Sequence, residues 1–494
     1  MKRYIKFYLL ILLAGLFTAC EDNLLEGALS VPAPPPEVPA TSGDADFTNY
    51  VSLGNSLTAG FMDGALYNRG QQNSFPSLLA GQMAQAVDNA SQGFNQPDIN
   101  SENGFFGFGP GGVVLGRLKL NSQSLPQPTV PGDVPGPYTG DKSQLNNFGV
   151  PGILLGQLLI PETGNPQSPA FNPLYARFAT APGQSTILTD ALATQPTFFT
   201  LWIGNNDVLG YAVSGATNES IFTDPQTFGF LYGQALGALA QSGAQGVVAN
   251  IPNVTDIPYF KLVPNNALEL SAAEAAQLNQ GYTLFNGAVA QYNSIPNLPE
   301  DQKRPTISFQ EGANLFVIRD EDLPQVPGLP SIRHMTAEEL VGLTIPQDSV
   351  LYWHTGVVDP ANPQPGEPDL SALGVPSQYI LTTNEISEVT ARTQELNQII
   401  AQTVAQYDED MVLLDMNSVF ADFASNGVAR YYGVTLDPGV APPFGAFSLD
   451  GVHPNARGYA YVANLFIDAI NAKFGSTLKY VPMEGSPIND FPPQ

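Results

Sequence analysis

Histidine, the usual general base in enzymes, is scarce in this chain of 494 residues, which contains only His334, His354 and His453. A hydrolase that attacks with serine needs an imidazole to accept the hydroxyl proton. His453 follows Asp450 by three positions across a turn that contains glycine. The carboxylate can therefore accept a hydrogen bond from one ring nitrogen while the other nitrogen faces a nucleophile. Taken alone, this segment fits a turn followed by a helix cap equally well.

Ser56 is the candidate nucleophile. It stands just beyond a short apolar run that ends at Leu53, and Gly54 between them permits a sharp turn. Open α/β sheets place their sites at the carboxyl ends of the strands, so a hydroxyl here can point above the sheet edge. By itself, the Gly54–Leu57 segment is more typical of a simple turn. The chain contains no G-x-S-x-G segment, which argues against an α/β-hydrolase nucleophile elbow.

Other possible sites have weaker support. His334 and His354 have no partner at the spacing of a zinc site, so ordinary core or surface roles are favoured. The segment Gly107–Gly112 fits G-x-G-x-x-G formally. It lacks a preceding strand and contains Pro110, which argues against a dinucleotide site.

Four short blocks in the chain resemble those of the SGNH hydrolases, also called GDSL lipases/esterases. The blocks are Gly54-Asn55-Ser56-Leu57, Asn147-Phe148-Gly149-Val150-Pro151-Gly152, Gly204-Asn205-Asn206-Asp207 and Asp450-Gly451-Val452-His453. Each block is weak alone, but their order and their spacing against predicted strands are specific. The resemblance runs from about Asp46 to Phe474, apart from two insertions, and the layout is similar to that of large lipoprotein members of the family.

The resemblance implies a role for each matching residue. Ser56 would be the nucleophile, His453 the base and Asp450 the carboxylate that orients it. The oxyanion hole would consist of the backbone N–H groups of Ser56 and Gly152 and the side-chain amide of Asn206. Such fixed neutral donors stabilise the charge of a tetrahedral intermediate. The mechanism requires neither a metal nor an organic cofactor.

The function implied by the resemblance is that of a serine ester hydrolase, a lipase or esterase that cleaves acyl esters through an acyl-enzyme on Ser56. A carbohydrate O-deacetylase is an alternative, because the family includes both. A non-catalytic surface lipoprotein that binds a glycan or a lipid is a third reading. It is supported by Asn55, since the family usually has Asp at that position.

The elements that would position these residues alternate short apolar runs with helical periodicity, which predicts an α/β domain with a parallel sheet. The predicted strands are Tyr50–Leu53, Thr197–Ile203, Gly246–Ile251 and Met411–Leu414. The predicted helices are Phe75–Val87, Phe228–Leu239, Asn384–Tyr407 and Asn455–Phe474. The resemblance implies a three-layer α/β/α flavodoxin-like (SGNH) domain with a short parallel sheet and two long insertions.

The domain is predicted over 46–480, followed by a turn-rich tail over 481–494. Two stretches break the alternation, at about 90–145 and about 295–380, and we interpret both as insertions at the rim of the active site. Three aromatic residues in the first insertion could line a rim for acyl chains, or could simply close their own loop. They are Phe105, Phe106 and Phe108.

The N-terminus has the pattern of an exported lipoprotein. A basic start precedes an apolar run over Phe7–Phe17 that is short for a membrane span, and small residues lead to Cys20. This segment resembles a bacterial lipobox, which predicts a signal peptide over 1–19, lipidation of Cys20 and a proline-rich tether over 20–45. An ordinary signal peptide followed by an incidental cysteine is the alternative. We expect an outer-membrane lipoprotein, on the periplasmic face or the cell surface.

Charge and cysteine content limit the partners. The formal net charge of −27 argues against binding nucleic acid, because phosphate contacts need clustered Lys and Arg. Cys20 is the only cysteine, so the chain has no internal disulfide. We expect a monomer that acts on a small-molecule, lipid or glycan ester and contacts the membrane through its lipid anchor.

Overall fold

The computed structural model describes most of the chain after the N-terminal segment. The described residues are 39–87, 93–355, 373–426, 429–431, 434–484 and 486. Contacts divide the chain into two units, Met1–Pro39 and Ala40–Gln494, and the fold below is that of the second. The predicted signal peptide and the predicted lipidation site at Cys20 lie outside the described residues, as does most of the predicted tail.

A parallel sheet forms the centre of the second unit. Its strands are β1 (Tyr50–Gly54), β2 (Asn147–Gly149), β3 (Phe198–Trp202), β4 (Gln245–Ala249) and β5 (Met411–Leu414). The spatial order is β5-β4-β3-β1-β2, and every neighbouring pair is parallel. Every residue of β1 and β3 is buried, as expected for strands covered on both faces. The predicted α/β class with a parallel sheet is confirmed.

The helices carry the sequence signals that start and end them. The described α-helices are α1 (Ser56–Ala59), α2 (Asn68–Gln72), α3 (Phe75–Met83), α4 (Pro173–Ala176), α5 (Ile187–Ala193), α6 (Asn206–Val213), α7 (Pro225–Gln241), α8 (Ala272–Gly281), α9 (Thr283–Asn293), α10 (Gln347–Thr355), α11 (Thr383–Val404), α12 (Met416–Asn426) and α13 (Ala456–Phe474). Helix α7 begins at Pro225 because Asp224 caps it and Pro225 fits its first turn. Helix α13 ends at Gly475, which takes the left-handed conformation (φ 64°).

Two pairs of helices pack beside the sheet. Helix α7 packs against α11, and α3 packs against α13. Between α3 and α13, the rings of Phe75 and Phe466 stack at 4.6 Å. The ring of Trp202, the last residue of β3, lies 5.9 Å from that of Phe75. Burial of these large aromatic side chains fixes α13 against the sheet, and the turn that contains His453 leads directly into this helix.

A second hydrophobic cluster lies among described residues between Val263 and Ile380, and we call residues 263–355 and 373–381 the accessory lobe. It contains α8, α9 and α10 together with short antiparallel strand pairs. The pairs are Leu268–Leu270 with Gly312–Asn314, Val317–Arg319 with Ile332–His334, and Leu340–Val341 with Ile380–Leu381. The lobe begins well before residue 295, where the proline clusters had suggested an insertion, because α8 and α9 precede those prolines.

The first predicted insertion forms small antiparallel hairpins rather than a compact cluster. Gly107–Phe108 pairs with Val114–Leu115, and Leu118–Leu120 pairs with Pro126–Pro128. The rings of Phe105 and Phe108 meet edge to face at 5.2 Å, while Phe108 remains 66% exposed.

None of the helices among the described residues combines the length and apolar character needed to cross a membrane.

Candidate active site

Three neighbouring strands bring three of the sequence blocks to one edge of the sheet. Gly54, the last residue of β1, pairs with Gly149 of β2 on one side and with Trp202 of β3 on the other. Because parallel strands end at the same edge, the segments that follow them meet there. Gly54 has to be glycine, since an added Cβ would lie 2.4 Å from the carbonyl oxygen of Trp202. Ser56, Gly152 and Asn206 each follow one of these strand ends.

Ser56 is the first residue of α1. Asn55 caps this helix, because its Oδ1 accepts a hydrogen bond from the Leu57 N–H at 3.1 Å. The Asn55 amide nitrogen donates to Oδ1 of Asn205 at 3.2 Å. A carboxylate at position 55 would lack that N–H group, so the asparagine at this position matches its neighbour Asn205.

The hydroxyl of Ser56, the ring of His453 and the carboxylate of Asp450 form a hydrogen-bonded chain. Oγ of Ser56 lies 2.8 Å from Nε2 of His453, and Nδ1 of His453 lies 2.9 Å from Oδ2 of Asp450. With the neutral ring carrying its proton on Nδ1, that N–H donates to the carboxylate and Nε2 accepts the serine proton. The side chains of His453 and Asp450 are only 13% and 12% exposed. Residues 397 positions apart thus form a serine–histidine–aspartate array with the arrangement of a catalytic triad.

Asp450 is held as an anion by its hydrogen-bond donors. Its Oδ1 accepts from the N–H groups of Val452 and His453, and its Oδ2 also accepts from the Gly64 N–H, each at 2.9 Å. Burial favours the neutral acid, but attraction to His453 and the hydrogen bonds outweigh it and lower the pKa of Asp450 to about 2. The carboxylate is therefore ionised at neutral pH and can stabilise an imidazolium.

Asp63 anchors the turn that carries Asp450. Its Oδ1 accepts from the Leu449 N–H at 3.1 Å, and its own N–H donates to Oγ of Ser448 at 2.9 Å. The Tyr67 hydroxyl donates to its Oδ2 at 2.8 Å, and burial raises the pKa of Asp63. Asp63 is not among the site residues predicted from the sequence. Asp63-Gly64 has the local signature of a turn, and nothing local indicates that it would contact residues almost 400 positions away.

Two further contacts hold the His453 turn in place. The ring of Phe61 lies 4.8 Å from the His453 ring, with an angle of 51° between them. On another side, the Tyr259 N–H donates to the carbonyl of Gly451 at 2.8 Å. The carbonyl of Tyr259 in turn accepts from the N–H of Leu343, a residue of the accessory lobe, at 2.9 Å. The accessory lobe is thereby linked to the turn between Asp450 and His453.

The expected oxyanion donors lie in adjoining segments. Gly152 is exposed with φ of 82°, a conformation that favours glycine. Among the described residues, neither its N–H nor that of Ser56 has a backbone acceptor. The Asn206 amide nitrogen donates one hydrogen to the carbonyl of Ile153 at 2.8 Å, which leaves its second hydrogen for another acceptor. That bond ties Asn206 to the segment that carries Gly152.

The other two histidines, His334 and His354, form hydrogen bonds with backbone groups of the accessory lobe. Nε2 of His354 accepts from the Val317 N–H at 2.8 Å, and its Nδ1 donates to the carbonyl of Val350 at 2.6 Å. Nδ1 of His334 donates to the carbonyl of Leu315 at 3.1 Å. The part of the chain that the structure describes holds no group of three or more His, Cys, Asp or Glu side chains that could bind a metal ion.

No family model matches the sequence, and no curated protein matches it. Any assignment of function therefore rests on the geometry of these side chains and on the order of the four sequence blocks.

Proposed function

We propose that this chain is a serine ester hydrolase of the SGNH type, in which Ser56 attacks an acyl ester and His453 is the base. The observation that supports this best is the chain of hydrogen bonds from Ser56 Oγ through His453 to Asp450, at 2.8 and 2.9 Å. Its position at the carboxyl edge of a parallel sheet fits the three-layer flavodoxin-like fold that we propose for the domain. We further propose export as an outer-membrane lipoprotein through Cys20.

The chemistry follows from the positions of the protons. As Ser56 Oγ bonds to the ester carbonyl carbon, its proton passes to Nε2 of His453, and the ionised Asp450 stabilises the imidazolium. When the tetrahedral intermediate collapses, the same proton goes to the departing alcohol. Water then attacks the acyl-enzyme, with His453 again taking a proton and returning it to Ser56. The acid is released, and the side chains recover their starting state.

Negative charge on the carbonyl oxygen would be stabilised by neutral donors at the strand ends. The N–H groups of Ser56 and Gly152 and the second amide hydrogen of Asn206 are the candidates. Donors that are already fixed need no reorganisation as the charge develops, and loss of one costs about 3 kcal/mol in the barrier. The hydrogen bond from Asn206 to the Ile153 carbonyl supports this role because it fixes the orientation of the amide.

Labelling with a fluorophosphonate probe tests the proposal. The probe phosphonylates a serine only when a neighbouring base activates it, so wild-type protein should be labelled at Ser56. Ser56→Ala and His453→Gln should each abolish the label, while Ser220→Ala, at an exposed serine, should retain it. Circular dichroism confirms that each variant is folded. A wild-type protein without label, or equal labelling of Ser56→Ala, would show that Ser56 is not an activated nucleophile.

A further inference from the structure

We propose that Arg117, in the first insertion, is a positioning residue that acts through Asp63 to keep the carboxylate of Asp450 in place. This inference rests on the proposed ester hydrolysis, and it gives the first insertion a role in that reaction. Arg117 lies between the two hairpins of the insertion, directly before the strand Leu118–Leu120. Its contacts lead in two steps to the carboxylate that orients His453.

Arg117 is buried beside Asp63. Its side chain is 8% exposed and that of Asp63 is 3% exposed, and Nη1 of Arg117 lies 3.6 Å from Oδ2 of Asp63. The guanidinium group also lies over the ring of Tyr67, 4.5 Å from the ring centroid. The Tyr67 hydroxyl donates to the same Oδ2 at 2.8 Å. Because a buried charge destabilises the fold unless an opposite charge lies near it, Arg117 and Asp63 stabilise each other.

The insertion also holds the turn formed by Asp63 and Gly64. The carbonyl of Asp63 accepts a hydrogen bond from the Leu118 N–H at 2.8 Å. The ring of Phe106 lies against Gly64, where an added Cβ would be 2.6 Å from the ring. Two consecutive residues are therefore fixed from the insertion, by an ion pair, a backbone hydrogen bond and an apolar contact.

The same two residues hold Asp450. The Gly64 N–H donates to Oδ2 of Asp450 at 2.9 Å, and that oxygen also lies 2.9 Å from Nδ1 of His453. Oδ1 of Asp63 accepts from the N–H of Leu449, the residue before Asp450, at 3.1 Å. A displacement of the turn at Asp63 and Gly64 would therefore move the oxygen that orients the His453 ring.

The charge of Arg117 favours the ionised state of two neighbouring carboxyl groups. Burial raises the pKa of Asp63, and repulsion from Asp450 raises it further. Attraction to Arg117 lowers that pKa, as do the hydrogen bonds that Asp63 accepts. Without this cation, the pair would bind a proton more readily, and a protonated Asp450 could not stabilise an imidazolium at His453. Arg117 thus supports both the position and the charge of Asp450.

The test measures kcat and KM for p-nitrophenyl acetate, with each rate expressed per active site titrated with the fluorophosphonate. This titration removes the contribution of unfolded protein. Arg117→Ala should lower kcat about 10- to 100-fold, the effect of a small displacement of a catalytic group, and should leave KM within about twofold of wild type. Arg117→Lys, or guanidinium added to Arg117→Ala, should restore part of the lost kcat, since each returns a cation beside Asp63.

A second variant and two matched controls complete the test. Tyr67→Phe removes one hydroxyl group and should lower kcat severalfold, because Asp63 loses a donor. Tyr175→Phe removes the same kind of bond elsewhere, since the Tyr175 hydroxyl donates to the buried carboxylate of Asp190 at 2.9 Å. Arg304→Ala removes a buried arginine of the accessory lobe. Both controls should keep kcat within about twofold of wild type.

The outcomes separate this inference from the proposed function. A kcat within about twofold of wild type in both Arg117→Ala and Tyr67→Phe would overturn the inference, as would an equal loss in the controls or a change confined to KM. If Arg117→Ala does not fold, Tyr67→Phe decides the matter. A wild-type protein that hydrolyses no ester and takes no probe would show instead that the proposed function itself has failed.

Discussion

Two buried carboxyl groups near the end of β3 and in the His453 turn respond differently to their surroundings. Asp450 accepts hydrogen bonds from three backbone N–H groups and from His453, and these interactions keep it ionised. Asp207 accepts from the Leu155 N–H at 2.9 Å and the Thr223 hydroxyl at 2.6 Å. For Asp207, burial dominates and raises the pKa to about 6. Asp450 can thus act as a charged group. In contrast, burial of the ionised Asp207 destabilises the folded protein at neutral pH.

Asp207→Asn should therefore stabilise the protein at pH 8. The native pKa of about 6 lies above the ordinary pKa of an aspartate, so the stability associated with Asp207 is lost as pH rises through that window. Asparagine can keep both hydrogen bonds, since its oxygen can accept from Leu155 and its amide can donate to the Thr223 oxygen. Urea unfolding should show a gain of about 2 kcal/mol at pH 8. The gain should disappear near pH 4, and a variant less stable than wild type at pH 8 would contradict this account.

The start of helix α13 holds the His453 turn as well as its own first turn. Oδ1 of Asn455 accepts from the Gly458 N–H at 3.0 Å. Its amide nitrogen donates to the carbonyls of Gly445 and Phe447 at 2.8 and 3.2 Å. One side chain thereby joins the start of the helix to the segment that precedes Asp450, and so closes the loop that carries Asp450 and His453.

Asn455→Ala should lower both stability and activity. Loss of the cap and of the two loop bonds should cost about 2 kcal/mol in unfolding free energy, and kcat should fall because His453 is less well held. Ser271→Ala is a matched control, since Ser271 caps α8 in the accessory lobe. It should lose about 1 kcal/mol without a change in kcat. An equal fall in kcat in both variants would mean that the cap has no special effect on the site.

The strands that could be predicted from the sequence are those that contain a continuous apolar run. The four predicted strands lie within two residues of those observed, because continuous apolar runs mark strands covered on both faces. Strand β2 was not predicted as a strand, because Asn147–Gly149 is three residues long and lacks such a run. The order of motifs predicted that Ser56 and His453 would meet. The contact of Asp63 with the Asp450 turn depends on the tertiary fold, which no local pattern encodes.

The α/β core and the accessory lobe each contain one of the two tryptophans. Trp202 ends β3 in the core, and Trp353 lies in the lobe beside His354. Burial lowers the pKa of His354 to about 4, and nearby His334 also has a pKa lowered by burial. Tryptophan fluorescence can therefore report on the core and on the lobe separately. The two histidines of the lobe have pKa values of their own that can be followed with it.

The accessory lobe should lose stability in mild acid. The native pKa of His354 is below the ordinary histidine value of 6.5, so the unfolded lobe gains protons first as pH falls from 6.5 to about 4. The total loss from His354 is about 3 kcal/mol. In a Trp202→Phe variant, Trp353 fluorescence should show a transition at lower urea concentration at pH 4.5 than at pH 7. An unchanged Trp353 midpoint would contradict the assigned burial of neutral His354.

The distance along the chain between Ser56 and His453 has a consequence for the timing of activity. Ser56 emerges early during synthesis, but His453 emerges 397 positions later, just before α13. In the proposed mechanism, any nascent or truncated chain that ends before His453 carries an inert hydroxyl. Ester cleavage would then begin only after α13 has been made and has docked, which would shield the cell that makes the protein from an active fragment.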